Sequence, residues 1–219
     1  MSGYVWDFSF LVEYKSLLLT GLGYTLLYTL ICVLLGMLVG VLAACARLSG
    51  TRWLSAPVRA YVEVFRCTPV LVQLVWFYYA LPVLTGVEIS AMTAAVLCLS
   101  LYGGAFYAEI FRGGIISMER GQGDAARALG MRGYQVMWWI ILPQAFKRMV
   151  PPLVNQSIMQ LKNTSLLSVL ALPDLLYQGQ VIAHDNYRPL EVYTVIAVIY
   201  FIVLLPATML ARRLEQRTG

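Results

Sequence analysis

Charge is scarce in this sequence. Asp, Glu, Lys and Arg make up 12% of the 219 residues, where a soluble domain carries about a quarter. Hydrophobic residues make up 60%, and a chain this short has no interior large enough to hide so much apolar surface. Lipid must be the solvent for much of it. Histidine is almost missing: His184 stands alone, with no partner at metal-ligand spacing and no nucleophile–base constellation to join, so no metal site and no hydrolytic centre is expected. The four cysteines, Cys32, Cys45, Cys67 and Cys98, lie in or beside apolar runs without CxxC spacing, which gives no sign of a disulfide framework. No GxxxxGK[ST] occurs, so the chain does not bind ATP through a P-loop. Alternating apolar and polar strands of the barrel type are absent too, which leaves helices as the spanning element. Neither an internal repeat nor a low-complexity tract is visible, and residues 1–219 are expected to form one domain. The first residues lack a basic stretch and a short apolar core, so the membrane segments themselves are expected to target the chain.

What is there is a set of apolar stretches. Crossing about 30 Å of hydrocarbon takes about 20 residues of helix, and five stretches qualify: Leu17 to Ala46, Val58 to Leu84, Ile89 to Phe111, Leu153 to Ala171 and Val192 to Ala211. The second is interrupted by Glu63, Arg66 and Pro69, and the fourth is expected to start just after Pro151-Pro152. The net charge of +5 sits between these stretches rather than on a soluble face, which speaks for membrane topology and against nucleic acid. Arg47, Arg52 and Arg59 follow the first stretch. Arg112, Arg120, Arg127, Arg132, Lys147 and Arg148 lie between the third and fourth, and Arg212, Arg213 and Arg217 lie in the tail. With five spans all of these fall on one side. The expectation is an all-α integral membrane protein with five transmembrane helices, the N-terminus outside and the C-terminus cytoplasmic.

The long connection from Ile116 to Phe146 carries the most information. Gly121-Gln122-Gly123 is expected to break the preceding helix. Asp124 is placed to cap a short helix, or to lie in its first turn; Ala125, Ala126, Arg127, Ala128 and Leu129 follow, and Gly130 can end it. Such a helix could dock a partner or simply tidy the inner face, and composition does not choose. Spacing adds more. Asp124-Ala125-Ala126, then Gly130, then nine residues before Ile140-Ile141-Leu142-Pro143 resembles the Glu-Ala-Ala, Gly, Ile-x-Leu-Pro loop of ABC-importer permeases, with Asp in place of the usual Glu. The stretches FRCTPVLVQLVWFYY, YAEIFRGGI, LPQAFKRMVPPLVNQ and LKNTSLLSVL are similar to the polar-amino-acid permeases within that group. The resemblance implies a type I importer permease fold and a coupling helix over Gly123 to Gly130. It also implies a cytosolic ABC ATPase dimer, a second permease subunit (identical or homologous) and a periplasmic or lipid-tethered amino-acid-binding protein in a bacterial cytoplasmic membrane. ATP and Mg would be bound by the ATPase, leaving this chain no cofactor of its own and no enzymatic role. The rival reading is a self-contained channel or secondary carrier, which usually shows repeated halves and intramembrane acids.

Polar residues inside spans are costly and point to sites. On a helical wheel Asn155, Met159 and Lys162 share a face, with Gln156, Gln160 and Asn163 beside it, a polar arc of roughly 160° that must face protein or water. Lys162 suits a substrate carboxylate, and Asn163 and Thr164 add neutral hydrogen-bonding groups. Alternatively the arc seals a helix interface and Lys162 snorkels. Arg66, Thr68 and Gln73 form a second candidate cluster beside Pro69, functional or structural in equal measure. The permeases it resembles often carry Asp at the position of Asn163, so the resemblance disfavours cationic solutes and leaves glutamine, glutamate and other neutral or acidic amino acids. Glu109 and Arg112, at i and i+3, read as an ion pair. Trp138-Trp139 and the Tyr-rich ends read as interfacial anchors.

Overall fold

The computed structural model describes residues 4–218, and every regular element among them is helical. We label the main helices α1 (Lys15–Leu48), α2 (Arg52–Cys67), α3 (Val70–Thr85), α4 (Ala91–Ile116), α5 (Arg120–Ala128), α6 (Leu142–Asn163), α7 (Leu175–Asn186) and α8 (Pro189–Thr218). Of these, α1, α4 and α8 are each long and apolar enough to cross a membrane alone. Two further spans arise if each of two bent pairs counts as one: α2 with α3, bent by 111°, and Gly133–Leu170 with α7, bent by 46°.

The bends have local causes. Thr68 precedes Pro69 and is extended (φ −113°, ψ 143°), the conformation that a following proline ring imposes. Breaking the helix there frees carbonyls, and Gln73 recovers two: its Nε2 donates to Phe65 O and Thr68 O, both at 3.0 Å. The second stretch, expected to be interrupted at Pro69, is an elbow between two helices. The fourth departs from expectation. Its helix begins at Leu142, with Pro143 in the first turn, so Pro151 and Pro152 lie inside it. Pro143 already occupies the site that suits proline, and two missing N–H groups further on are tolerated within one continuous helix. After Asn163 it tightens into a 3-10 segment, Thr164–Leu170. At α7 the first amides are all satisfied: Leu175 N donates to Thr25 Oγ1 of α1 at 3.0 Å, and Leu176 N and Tyr177 N donate to Asp174.

Glycine sets how closely α1 and α4 approach. A Cβ on Gly40 would stand 2.5 Å from Tyr107 Cβ and 3.0 Å from Ala108 N, and one on Gly36 3.3 Å from Ser100 O. Gly36 and Gly40 form a small-xxx-small pair on one face of α1, the pattern that lets membrane helices pack backbone to backbone. Their contact is locked by charge near its end. The Arg47 guanidinium pairs with the Glu109 carboxylate, which also accepts from Arg112 Nη2 at 2.7 Å. The expected Glu109–Arg112 pair is thus one half of a triad. Removing the shared carboxylate by Glu109→Gln should strand two half-buried guanidinium groups and destabilise the chain by about 2 kcal/mol. Thermal melting in detergent reads this; an unchanged melting temperature would mean that water replaces the carboxylate.

Candidate functional site: the inner-face turn and the polar arc

The short helix α5 exists, but it starts earlier than its glycines suggest. The chain leaves α4 at Ser117, Glu119 is extended at the N-cap, and Gly121, Gln122 and Gly123 lie within the helix. Asp124 is therefore mid-helix and does not cap it; it pairs instead with Arg127 at 3.4 Å on the exposed surface. The glycines are tolerated because α5 is held from outside. Gln144 Nε2 donates to Gln122 Oε1 at 2.8 Å, and Ala126 is buried among Met118, Val136, Ile141 and Ala145. Gly130 ends the helix as expected. It sits at φ +84°, its N–H donates to Arg127 O at 2.9 Å, and Met131 N–H donates to Ala126 O at 3.1 Å. These paired bonds are a Schellman closure, and Met131 packs against the same apolar cluster as Ala126.

One face of α5 is thereby fixed to the bundle while the other is bare. Asp124, Ala125, Arg127 and Ala128 are exposed, and Leu129 at the tip is 85% exposed. An apolar side chain this bare on a clamped turn is a surface that a partner can cover.

The polar arc of α6 is distributed among different neighbours. Asn155 Nδ2 donates to Glu215 Oε1 of α8 at 2.7 Å. Gln160 turns inward, fully buried, with Nε2 donating to Leu99 O at 2.8 Å beside Gly103. Gln156 is half-buried, Lys162 is exposed and Asn163 is half-buried with its Nδ2 enclosed. Thr164 is buried and its hydroxyl donates to Leu161 O at 2.6 Å. In the second cluster Arg66 is exposed, its guanidinium 5.5 Å above the Phe106 ring. The Thr68 hydroxyl donates to Val64 O at 2.7 Å and accepts from Gln73 Nε2. No ion pair joins the two clusters among the described residues. Both reach α4, Arg66 through Phe106 and Gln160 through Leu99.

Residues 36–219 match the family described as the inner membrane component of binding-protein-dependent transport systems. The chain belongs to this family. Among curated relatives, this permease is 40% identical over 179 residues to the glutamine transport system permease protein GlnP of Escherichia coli strain K12, covering 81% of each chain. It is 37% identical over 223 residues to the glutamate/aspartate import permease protein GltK of Escherichia coli O6:H1, covering 99% of this chain and 100% of that one. Among solved structures, a chain from an amino acid ABC transporter crystallised with histidines superposes with TM-score 0.92 at 37% identity, covering 98% of the permease and 100% of that chain. The MetNI methionine ABC transporter superposes with TM-score 0.75 at 22% identity, a likeness of fold.

Several residues that hold the permease's site together escape sequence reasoning. Arg47 as the second partner of Glu109, Thr25 as the acceptor for the first amide of α7 and Gln122 as the tether of α5 all act across long stretches of chain. Only the Gly36-x-x-x-Gly40 spacing carried a local signal, and it marks packing.

Proposed function

We propose that the permease is the transmembrane subunit of an ATP-driven importer of polar amino acids in a bacterial cytoplasmic membrane. The observation that carries this reading is α5: a turn clamped to the bundle through Ala126, closed at Gly130, and left bare along Asp124, Ala125, Arg127, Ala128 and Leu129. A cytosolic ATPase would grip that face and supply the energy, binding ATP and Mg itself. Two permease subunits, identical or homologous, would enclose the path. Each would cross the bilayer five times, counting each bent pair as one span. The arginine-rich connections then lie inside, the N-terminus outside and the C-terminus in the cytoplasm. ATPase closure would swing the helices between two packed states, and an external binding protein would deliver solute near Leu172 to Glu191.

The relatives' names point to glutamine, glutamate and aspartate. Lys162 is exposed in the last turn of α6 and supplies a cation for the solute carboxylate. Asn163 and Gln156 add neutral hydrogen-bonding groups on the same helix, and Arg66, over the Phe106 ring of α4, supplies a second cation. Thr68, Asn155 and Thr164 would complete the polar lining of the solute path. The test is ATP hydrolysis by the reconstituted complex with its binding protein. Glutamine or glutamate should stimulate it, and Lys162→Ala should raise the half-maximal concentration about tenfold. Stimulation by arginine or lysine in preference to both would overturn the solute assignment.

A further inference from the structure

Four arginines of this chain are paired with carboxylates. Arg47 and Arg112 share Glu109, Arg127 pairs with Asp124, and Arg188 pairs with Glu191. Arg52 and Arg59 take part in no ion pair among the described residues. Instead they line one cleft of about 440 Å³, together with Gly50, Ser55 and Ala56. Seven residues apart on α2, they fall on one face two turns from each other. The chain turns into α2 at Gly50, which has φ +74°, and no acidic residue occurs between Glu13 and Glu63. The cleft is therefore cationic, built on a regular helix, and open to an anion.

Its position says which anion. The cleft opens just past the end of α1, whose 34 residues exceed the roughly 20 that cross the hydrocarbon, so with α1 as a span it lies on the headgroup side of the membrane whichever way the chain is oriented. Beside it Trp53 is 92% exposed and Leu54 49% exposed. An indole this bare is unfavourable in water but suits the headgroup layer, where its ring meets acyl chains and its N–H meets polar groups. Guanidinium groups match phosphate oxygens in a planar, forked geometry that an ammonium lacks.

We infer that this cleft binds the phosphate of an anionic membrane lipid, held by Arg52 and Arg59 with Ser55 as a neutral donor and Trp53 seated beside it in the headgroup layer. The inference needs only that α1 spans the bilayer. The orientation proposed above adds that the lipid belongs to the cytoplasmic leaflet.

The test is lipid retention by the purified, detergent-solubilised complex in native mass spectrometry, titrated with phosphatidylglycerol or phosphatidylcholine. Phosphatidylglycerol should be retained in preference, and Arg52→Gln with Arg59→Gln should weaken its retention about tenfold or more. Arg212→Gln with Arg213→Gln removes the same charge from the tail and should leave retention unchanged, separating a site from general attraction. Arg52→Lys with Arg59→Lys should fall between. It also carries the test if the glutamine pair lowers the melting temperature. Equal retention by the glutamine pair and the unaltered complex would overturn the inference, as would equal retention of the two lipids. Displacement of the bound lipid by millimolar inorganic phosphate would assign the cleft to free phosphate and reject the lipid. Retention is read without solute or ATP, so failure of the amino-acid assignment leaves this result standing.

Discussion

Gly130→Val should reduce coupled uptake about tenfold or more while the chain still inserts into the membrane. At φ +84° a β-branched side chain meets its own backbone, a conformation costing about 1–2 kcal/mol. The helix would escape that cost by opening its Schellman closure. The Gly130 N–H to Arg127 O and Met131 N–H to Ala126 O bonds then go together, and the Leu129 tip loses its aim. Nothing lies within 4 Å of the Gly130 Cβ position, so the effect is conformational and leaves the bundle unaltered. Two companion variants make the cause readable. Gly130→Asn should retain most uptake, because asparagine tolerates the left-handed region. Gly121→Ala, in a helical conformation and with nothing within 4 Å, should be neutral. Uptake and ATPase co-purification, each normalised to permease in the membrane, measure all three.

Gly40→Leu should act earlier, on folding itself. Its Cβ would lie 2.5 Å from Tyr107 Cβ and 3.0 Å from the Ala108 amide nitrogen. Backbone cannot step aside as a flexible side-chain end can, so α1 must lift away from α4. Tyr107 is fully buried, and its hydroxyl lies 2.9 Å from Ser157 Oγ of α6, so the displacement reaches three helices. Overpacking typically costs about 1–3 kcal/mol and more where the backbone is the obstacle. The expected result is a several-fold loss of monodisperse protein after detergent extraction. Gly23→Ala on the same helix meets nothing within 4 Å and should extract normally. Equal yields from both variants would contradict the close approach.

How much could be read in advance follows from the range of each interaction. The short helix ending at Gly130 is legible because a glycine end-signal and an alanine run act within one turn. The break at Pro69 was legible for the same reason, but its 111° angle was not: the bend is stabilised by Gln73 reaching back to Phe65 and Thr68. Pro151-Pro152 look like a helix start because nothing local says that Pro143 has already taken that role. Gly121 to Gly123 look like a break in sequence but lie in a helix held by Gln144 and Val136, more than ten residues away. The wheel put Gln160 beside Lys162 correctly in angle. It could not show that α4 lies against one and open space against the other, since a wheel describes one helix and not its neighbours.

On the proposed function, the bare face of α5 meets the subunit that hydrolyses ATP. It is tested most directly by placing a cysteine-reactive photo-crosslinker at Leu129→Cys or Ala128→Cys in the assembled complex, with Cys32, Cys45, Cys67 and Cys98 replaced. The expected result is a covalent permease–ATPase adduct in good yield that changes with nucleotide. A complex that hydrolyses ATP normally yet gives no such adduct from either position would contradict it.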